Sequence, residues 1–181
     1  HAGQDSVRVL RPADSDAATV CWQMAMENMD TPTALIFSRQ NVKSLPEGTD
    51  YQQTRKGAYI VTGSDEQFDV ILVASGSEVS TCVAGAELLR KDGVKVRVVS
   101  APSEGLFRRQ SKEYQEQILP RDAKIFGLTA GLPVTIEGLV GANGKVFGLN
   151  SFGFSAPYTV LDEKLGFTPE NVYKQVKAFL A

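Results

Sequence analysis

Val70-Ile71-Leu72-Val73-Ala74-Ser75-Gly76-Ser77-Glu78, then a helically spaced run to Gly93, then Lys95-Val96-Arg97-Val98-Val99-Ser100, is the most informative stretch of the chain. A short apolar, β-branched run before a glycine turn marks a buried strand. Ser75-x-x-Glu78 has the spacing of a capping box and predicts a helix start at that point. Val79, Val83, Ala86 and Leu89 recur at helical spacing and give the helix an inward face. Gly93 stands where a C-terminal cap would end it. Strand, helix and strand in this order form a βαβ unit, which requires a parallel sheet with a right-handed crossover.

A second unit of the same kind opens the chain. Val7-Arg8-Val9-Leu10 is a short strand, and Arg11-Pro12-Ala13-Asp14 is its exit loop. Asp14 or Ser15 caps a helix over residues 16–29, in which Trp22 is expected to be a packing anchor. Thr33 to Ser38 forms the next strand, leaving into Arg39-Gln40-Asn41. Two polar loops therefore leave the carboxyl ends of adjacent strands, the edge where open α/β sheets place ligands.

Residues 43–56 are polar and rich in turn formers and read as a linker. Gly57 to Thr62 suits an edge strand, and Gly63-Ser64-Asp65 a turn. Beyond the central unit come a helical turn at 107–109 and a short helix capped by Ser111. A strand at 124–128, an ambiguous segment at 134–140 and a strand at 145–149 follow. Two final helices close the chain, the last opened by Thr168-Pro169-Glu170 with proline at its first position. The expected fold class is α/β: a three-layer C-terminal domain with a mostly parallel sheet over residues 57–181, preceded by a partial, truncated α/β segment over residues 1–42. That segment holds too few elements to be stable alone, so it either folds onto the larger domain or needs further sequence.

Composition narrows the function classes. With 181 residues, 43% of them hydrophobic, the chain can bury a sizeable core. The net charge is −2 and no basic block stands out, which argues against a nucleic-acid partner. No apolar run approaches the roughly 20 residues that span a bilayer, and no signal-peptide pattern is present. Cys21 and Cys82 lie among apolar neighbours without a Cys-x-x-Cys pattern, so they read as buried free thiols of a cytoplasmic protein. The single histidine is His1, which leaves no internal histidine for acid–base work. No catalytic residue and no metal ligand is assigned.

Taken together, several motifs resemble the transketolase family. Arg11-Pro12-Ala13-Asp14, Ser38-Arg39-Gln40-Asn41, Gly57-Ala58-Tyr59 and Ala74-Ser75-Gly76-Ser77-Glu78-Val79 occur in that order. Arg97-Val98-Val99-Ser100-Ala101-Pro102, Gly148-Leu149-Asn150-Ser151-Phe152-Gly153 and Leu165-Gly166-Phe167-Thr168 continue it. Each tetrapeptide is weak, but their order and spacing from about residue 7 to the end are specific. The resemblance implies the end of a pyrimidine-binding domain, a linker and a C-terminal domain.

The resemblance further implies transfer of a two-carbon ketol unit from a ketose phosphate to an aldose phosphate, in the pentose phosphate pathway. It implies thiamine diphosphate and magnesium as cofactors, sugar phosphates as partners, and an active site at a homodimer interface. Asp14 matches the family's aspartate that accepts a hydrogen bond from a donor-sugar hydroxyl, and it also suits a helix cap. Arg39 matches the arginine that holds the substrate phosphate, a role suited to its forked donors.

Departures from the family pattern matter as much. The family's His-Gln-Pro motif, its activating glutamate and its diphosphate- and metal-binding domain have no counterpart here, so no cofactor or metal residue is assigned. The isolated chain is expected to be inactive. Thr129 stands where many relatives carry an acidic residue. The Ser75-Gly76-Ser77 turn feeds a helix start, where anions can bind, but it reads more simply as a cap. Two other readings are another thiamine-dependent ketolase, such as dihydroxyacetone synthase, and a non-catalytic binding or assembly module.

Overall fold

The computed structural model describes residues 6–63 and 67–181. His1 and most of the Gly63-Ser64-Asp65 turn lie outside the described residues. β1 (Arg8–Leu10), α1 (Ser15–Glu27) and β2 (Thr33–Leu35) form the first unit, with β1 and β2 parallel. A 3-10 helix at Tyr51–Lys56 leads to β3 (Tyr59–Thr62), β4 (Val70–Ala74), α2 (Glu78–Lys91) and β5 (Val96–Ser100). Next come α3 (Glu104–Arg108), α4 (Lys112–Ile118), β6 (Ile125–Leu128), a 3-10 turn at Pro133–Thr135 and α5 (Glu137–Val140). β7 (Lys145–Phe147), α6 (Tyr158–Leu165) and α7 (Pro169–Leu180) complete the chain.

Among the described residues, five strands make the larger sheet in the order β3-β5-β4-β6-β7. Of these, β3 at the edge runs antiparallel to β5, and the other pairings are parallel. β4 and β5 are buried along their whole length, as expected of central strands covered on both faces. Alternation along β4 splits the core in two. Val70, Leu72 and Ala74 face α2 and α7, packing with Val79, Cys82, Leu89, Val172 and Val176. Ile71 and Val73 face the other way, onto Phe107, Ile118, Leu139 and Val140 of α3, α4 and α5. Helices, sheet and helices are the three layers expected from the sequence.

α2 and α7 cover one face side by side. Gly85 permits their approach: a Cβ there would stand 2.7 Å from Cγ1 of Val172. At the helix ends, Asp92 accepts from the Tyr173 hydroxyl and pairs with Lys177 Nζ at 3.3 Å. Thr168 caps α7 through the Asn171 amide, with Pro169 at its first position, and Ser111 caps α4 through the Tyr114 amide.

Several expectations change. α1 ends at Glu27 and β2 at Leu35, shorter than their apolar runs. Trp22 is not a core anchor: it is 54% exposed and stacks on Phe37, with centroids 6.3 Å apart. Met26, Met29 and Ile36 are also exposed in the same unit. β2 pairs only with β1 among the described strands, and β1 ends at Leu10, so after the Ile36 amide bonds Leu10 O at 2.9 Å the strand has no further partner residue in β1. The ambiguous 134–140 segment is helical. The stretch read as a linker packs closely, with Leu45 and Thr54 buried.

Candidate functional site

The site grows from the two loops that leave β1 and β2. Leu10 and Leu35 are register partners in the parallel pair. Asp14 lies four residues past Leu10 and Arg39 four past Leu35, so both occupy loops on one carboxyl edge. Asp14 is 4% exposed and caps α1. Its Oδ1 accepts the Ala17 amide at 2.9 Å. Its Oδ2 accepts the Leu45 amide at 2.9 Å and the Tyr51 hydroxyl at 2.7 Å. A carboxylate offers about four acceptor positions. Among the described residues three are filled, which leaves one on Oδ1.

Tyr51 is a fixed donor. Burial pushes its phenol well above the usual range, and the hydrogen bond and charge of Asp14 push it the same way. Arg39 is the opposite case. It is exposed and makes no hydrogen bond or ion pair among the described residues. Its forked guanidinium donors have a geometry that can match a carboxylate or a phosphate. The edge thus combines a clamped, buried acceptor with an uncommitted cation.

Arg11, at the start of the same loop, ties this edge to the larger sheet. Its amide donates to Pro102 O at 2.9 Å, and its carbonyl accepts the Gly76 amide at 3.1 Å. Its Nη1 donates to Ser75 Oγ at 3.2 Å. Its Nη2 donates to Glu78 Oε1 at 3.1 Å and lies 2.8 Å from Oε2. The expected capping box is therefore not formed. Ser77 precedes α2, Glu78 is its first residue, and both Ser75 and Glu78 are turned to Arg11. Nothing local in the sequence announces this, because Arg11 and Glu78 are 67 positions apart.

The same geometry disfavours an anion at the Ser75-Gly76-Ser77 turn. The Arg11 side chain already lies against it, so that a Cβ on Gly76 would stand 2.9 Å from Arg11 Nε, and the buried Glu78 carboxylate adds negative charge. These residues do not fit a diphosphate. Among the described residues, no three His, Cys, Asp or Glu side chains gather where a metal could be held. Thr129 is buried beyond β6, where its Oγ1 accepts the Gly131 amide at 3.1 Å and closes the turn. Cys21 and Cys82 are buried free thiols; burial pushes Cys21 up to about 12.

Residues 57–168 match the family model described as transketolase-like TK C-terminal domain. The chain belongs to the transketolase family. It is 44% identical over 176 residues to a transketolase of Staphylococcus epidermidis, covering 96% of this chain and 27% of that protein. The fold superposes on a transketolase of Leishmania mexicana with a TM-score of 0.89 and 33% identity, covering 97% of this chain and 25% of the other. A transketolase of Pichia stipitis in complex with sedoheptulose-7-phosphate gives the same TM-score and coverage at 32% identity. The chain thus spans about a quarter of the transketolases it matches. No helix among the described residues is long and apolar enough to cross a membrane.

Proposed function

We propose that this chain supplies the substrate-facing edge and C-terminal domain of a transketolase. The whole enzyme would move a two-carbon ketol unit from a ketose phosphate to an aldose phosphate, using thiamine diphosphate and magnesium. The observation that carries this reading is the pairing of Leu10 with Leu35, which sets Asp14 and Arg39 on one strand edge in a chain of this family. Asp14 accepts a donor-sugar hydroxyl on its remaining Oδ1 position, and Arg39 grips the phosphate in a forked pair. The sedoheptulose-7-phosphate complex of the Pichia stipitis relative supports sugar phosphates as the substrate class.

Residues 1–42 form the end of a pyrimidine-binding domain, residues 43–56 the linker, and residues 57–181 the C-terminal domain. The start of the family match at residue 57 supports this division. The cofactor and metal are held outside this chain, and no step through them is assigned to its residues. The active enzyme is a cytoplasmic homodimer, and the isolated chain transfers no ketol unit. Two buried, unpaired thiols suit a reducing compartment.

The test is steady-state ketol transfer by the intact enzyme. Charge-assisted hydrogen bonds contribute about 1.5–3 kcal/mol, so Arg39→Ala should raise KM for phosphorylated sugars by roughly ten- to hundredfold. KM for unphosphorylated analogues should stay near the parent value. An equal rise for both would overturn the phosphate role.

A further inference from the structure

Five contacts converge on Arg11 from the larger sheet. They come from two strand exits, residues 75–78 after β4 and Pro102 after β5. This is a dense attachment for a loop of only a few residues. Arg11 is followed by Pro12, whose ring restricts φ, and by Ala13, which is 1% exposed and packs into the larger core. Asp14 comes next. Between Arg11 and Asp14 the chain therefore has little freedom to absorb a shift. Glu78 is 6% exposed, so its pairing with Arg11 is shielded from solvent on the carboxylate side.

We infer that Glu78 is a positioning residue for substrate discrimination: through Arg11 it sets where Asp14 presents its remaining acceptor. The inference rests on the Asp14 reading given above, and it assigns the C-terminal domain a part in choosing the sugar. Glu78 touches no substrate. It holds the guanidinium, the guanidinium holds the loop, and the loop aims Oδ1. A hydroxyl acceptor displaced by a fraction of an ångström separates epimers less well, because discrimination depends on one aligned hydrogen bond.

The test uses the intact enzyme, a ketose phosphate donor and its epimer at the recognised hydroxyl. The readout is the ratio of the two kcat/KM values. Asp14→Ala should collapse that ratio. Glu78→Gln, which keeps the side chain's shape, should lower it about tenfold. Ser75→Ala, which removes a second Arg11 partner, should lower it less and in the same direction. Glu78→Gln added to Asp14→Ala should change nothing further, since both act through one acceptor. Asp92→Asn loosens an ion pair between α2 and α7 and should leave the ratio at its parent value.

A ratio unchanged in Glu78→Gln but collapsed in Asp14→Ala would overturn the inference and leave the Asp14 reading standing. A ratio unchanged in Asp14→Ala would overturn both. Equal losses of kcat/KM for the two epimers in Glu78→Gln would show a merely structural role and also overturn the inference. If Glu78→Gln does not fold, the Ser75→Ala ratio decides.

Discussion

Tyr51 donates its hydroxyl to Asp14 Oδ2 at 2.7 Å, across 37 positions of sequence. One end of this bond lies in a stretch that reads as linker, the other at the head of α1. Leu45 and Tyr51, both in that stretch, therefore hold the second oxygen of Asp14 in place.

Removing that hydroxyl should be felt in stability. Tyr51→Phe keeps the ring and deletes one of the three donors to a nearly buried carboxylate. A hydrogen bond to a charged group contributes about 1.5–3 kcal/mol, so the variant should lose about 2 kcal/mol. Urea denaturation should show a lower midpoint with an unchanged slope. An unchanged midpoint would mean that the Leu45 and Ala17 amides suffice.

Glu78 gives a pH dependence of definite sign. Burial lifts its carboxyl above the ordinary 4.5; Arg11 pulls it back down, and Asp162 adds to the rise. The unfolded chain thus loses this proton at lower pH than the native one. The Glu78 contribution to stability is fully present below the unfolded value and is lost as pH rises through the folded value. Glu78→Gln has no such loss. Its stability relative to the parent should increase across that window and level off on either side, measured by denaturation from about pH 4 to about pH 8. A relative stability that falls with rising pH would reverse the sign of the Glu78 contribution.

Gly85 sets the spacing of α2 and α7. Alanine there gains about 1 kcal/mol in helix propensity. Its Cβ would stand 2.7 Å from Cγ1 and 3.0 Å from Cβ of Val172, a β-branched side chain with little rotamer freedom. Overpacking costs about 1–3 kcal/mol and outweighs the gain. Gly85→Ala should lower the denaturation midpoint, and combining it with Val172→Ala should cost less than the sum of the two changes. Strict additivity would show that the helices part without resistance.

The sequence made the larger sheet legible for a plain reason. Val70 to Ala74 and Val96 to Ser100 are short apolar runs bounded by turns, and such runs have few structural uses. Asp14 was readable as a cap because its partner, Ala17, is three residues away. The clamp on its second oxygen was not readable, because Leu45 and Tyr51 lie 31 and 37 positions off. Ser75-x-x-Glu78 misled because a local pattern competes with any distant cation, and Arg11 took both side chains. Trp22 misled for a related reason. Helical spacing marks an apolar side chain, but only the surrounding fold says whether anything covers it.

Trp22 is also the chain's sole tryptophan. Its indole sits on the outer side of α1, half in solvent and stacked on Phe37. The protein therefore carries a built-in optical gauge at one place. Red-shifted emission reports a wet α1 face, and a blue shift reports that another surface has come to rest on it, with no label attached.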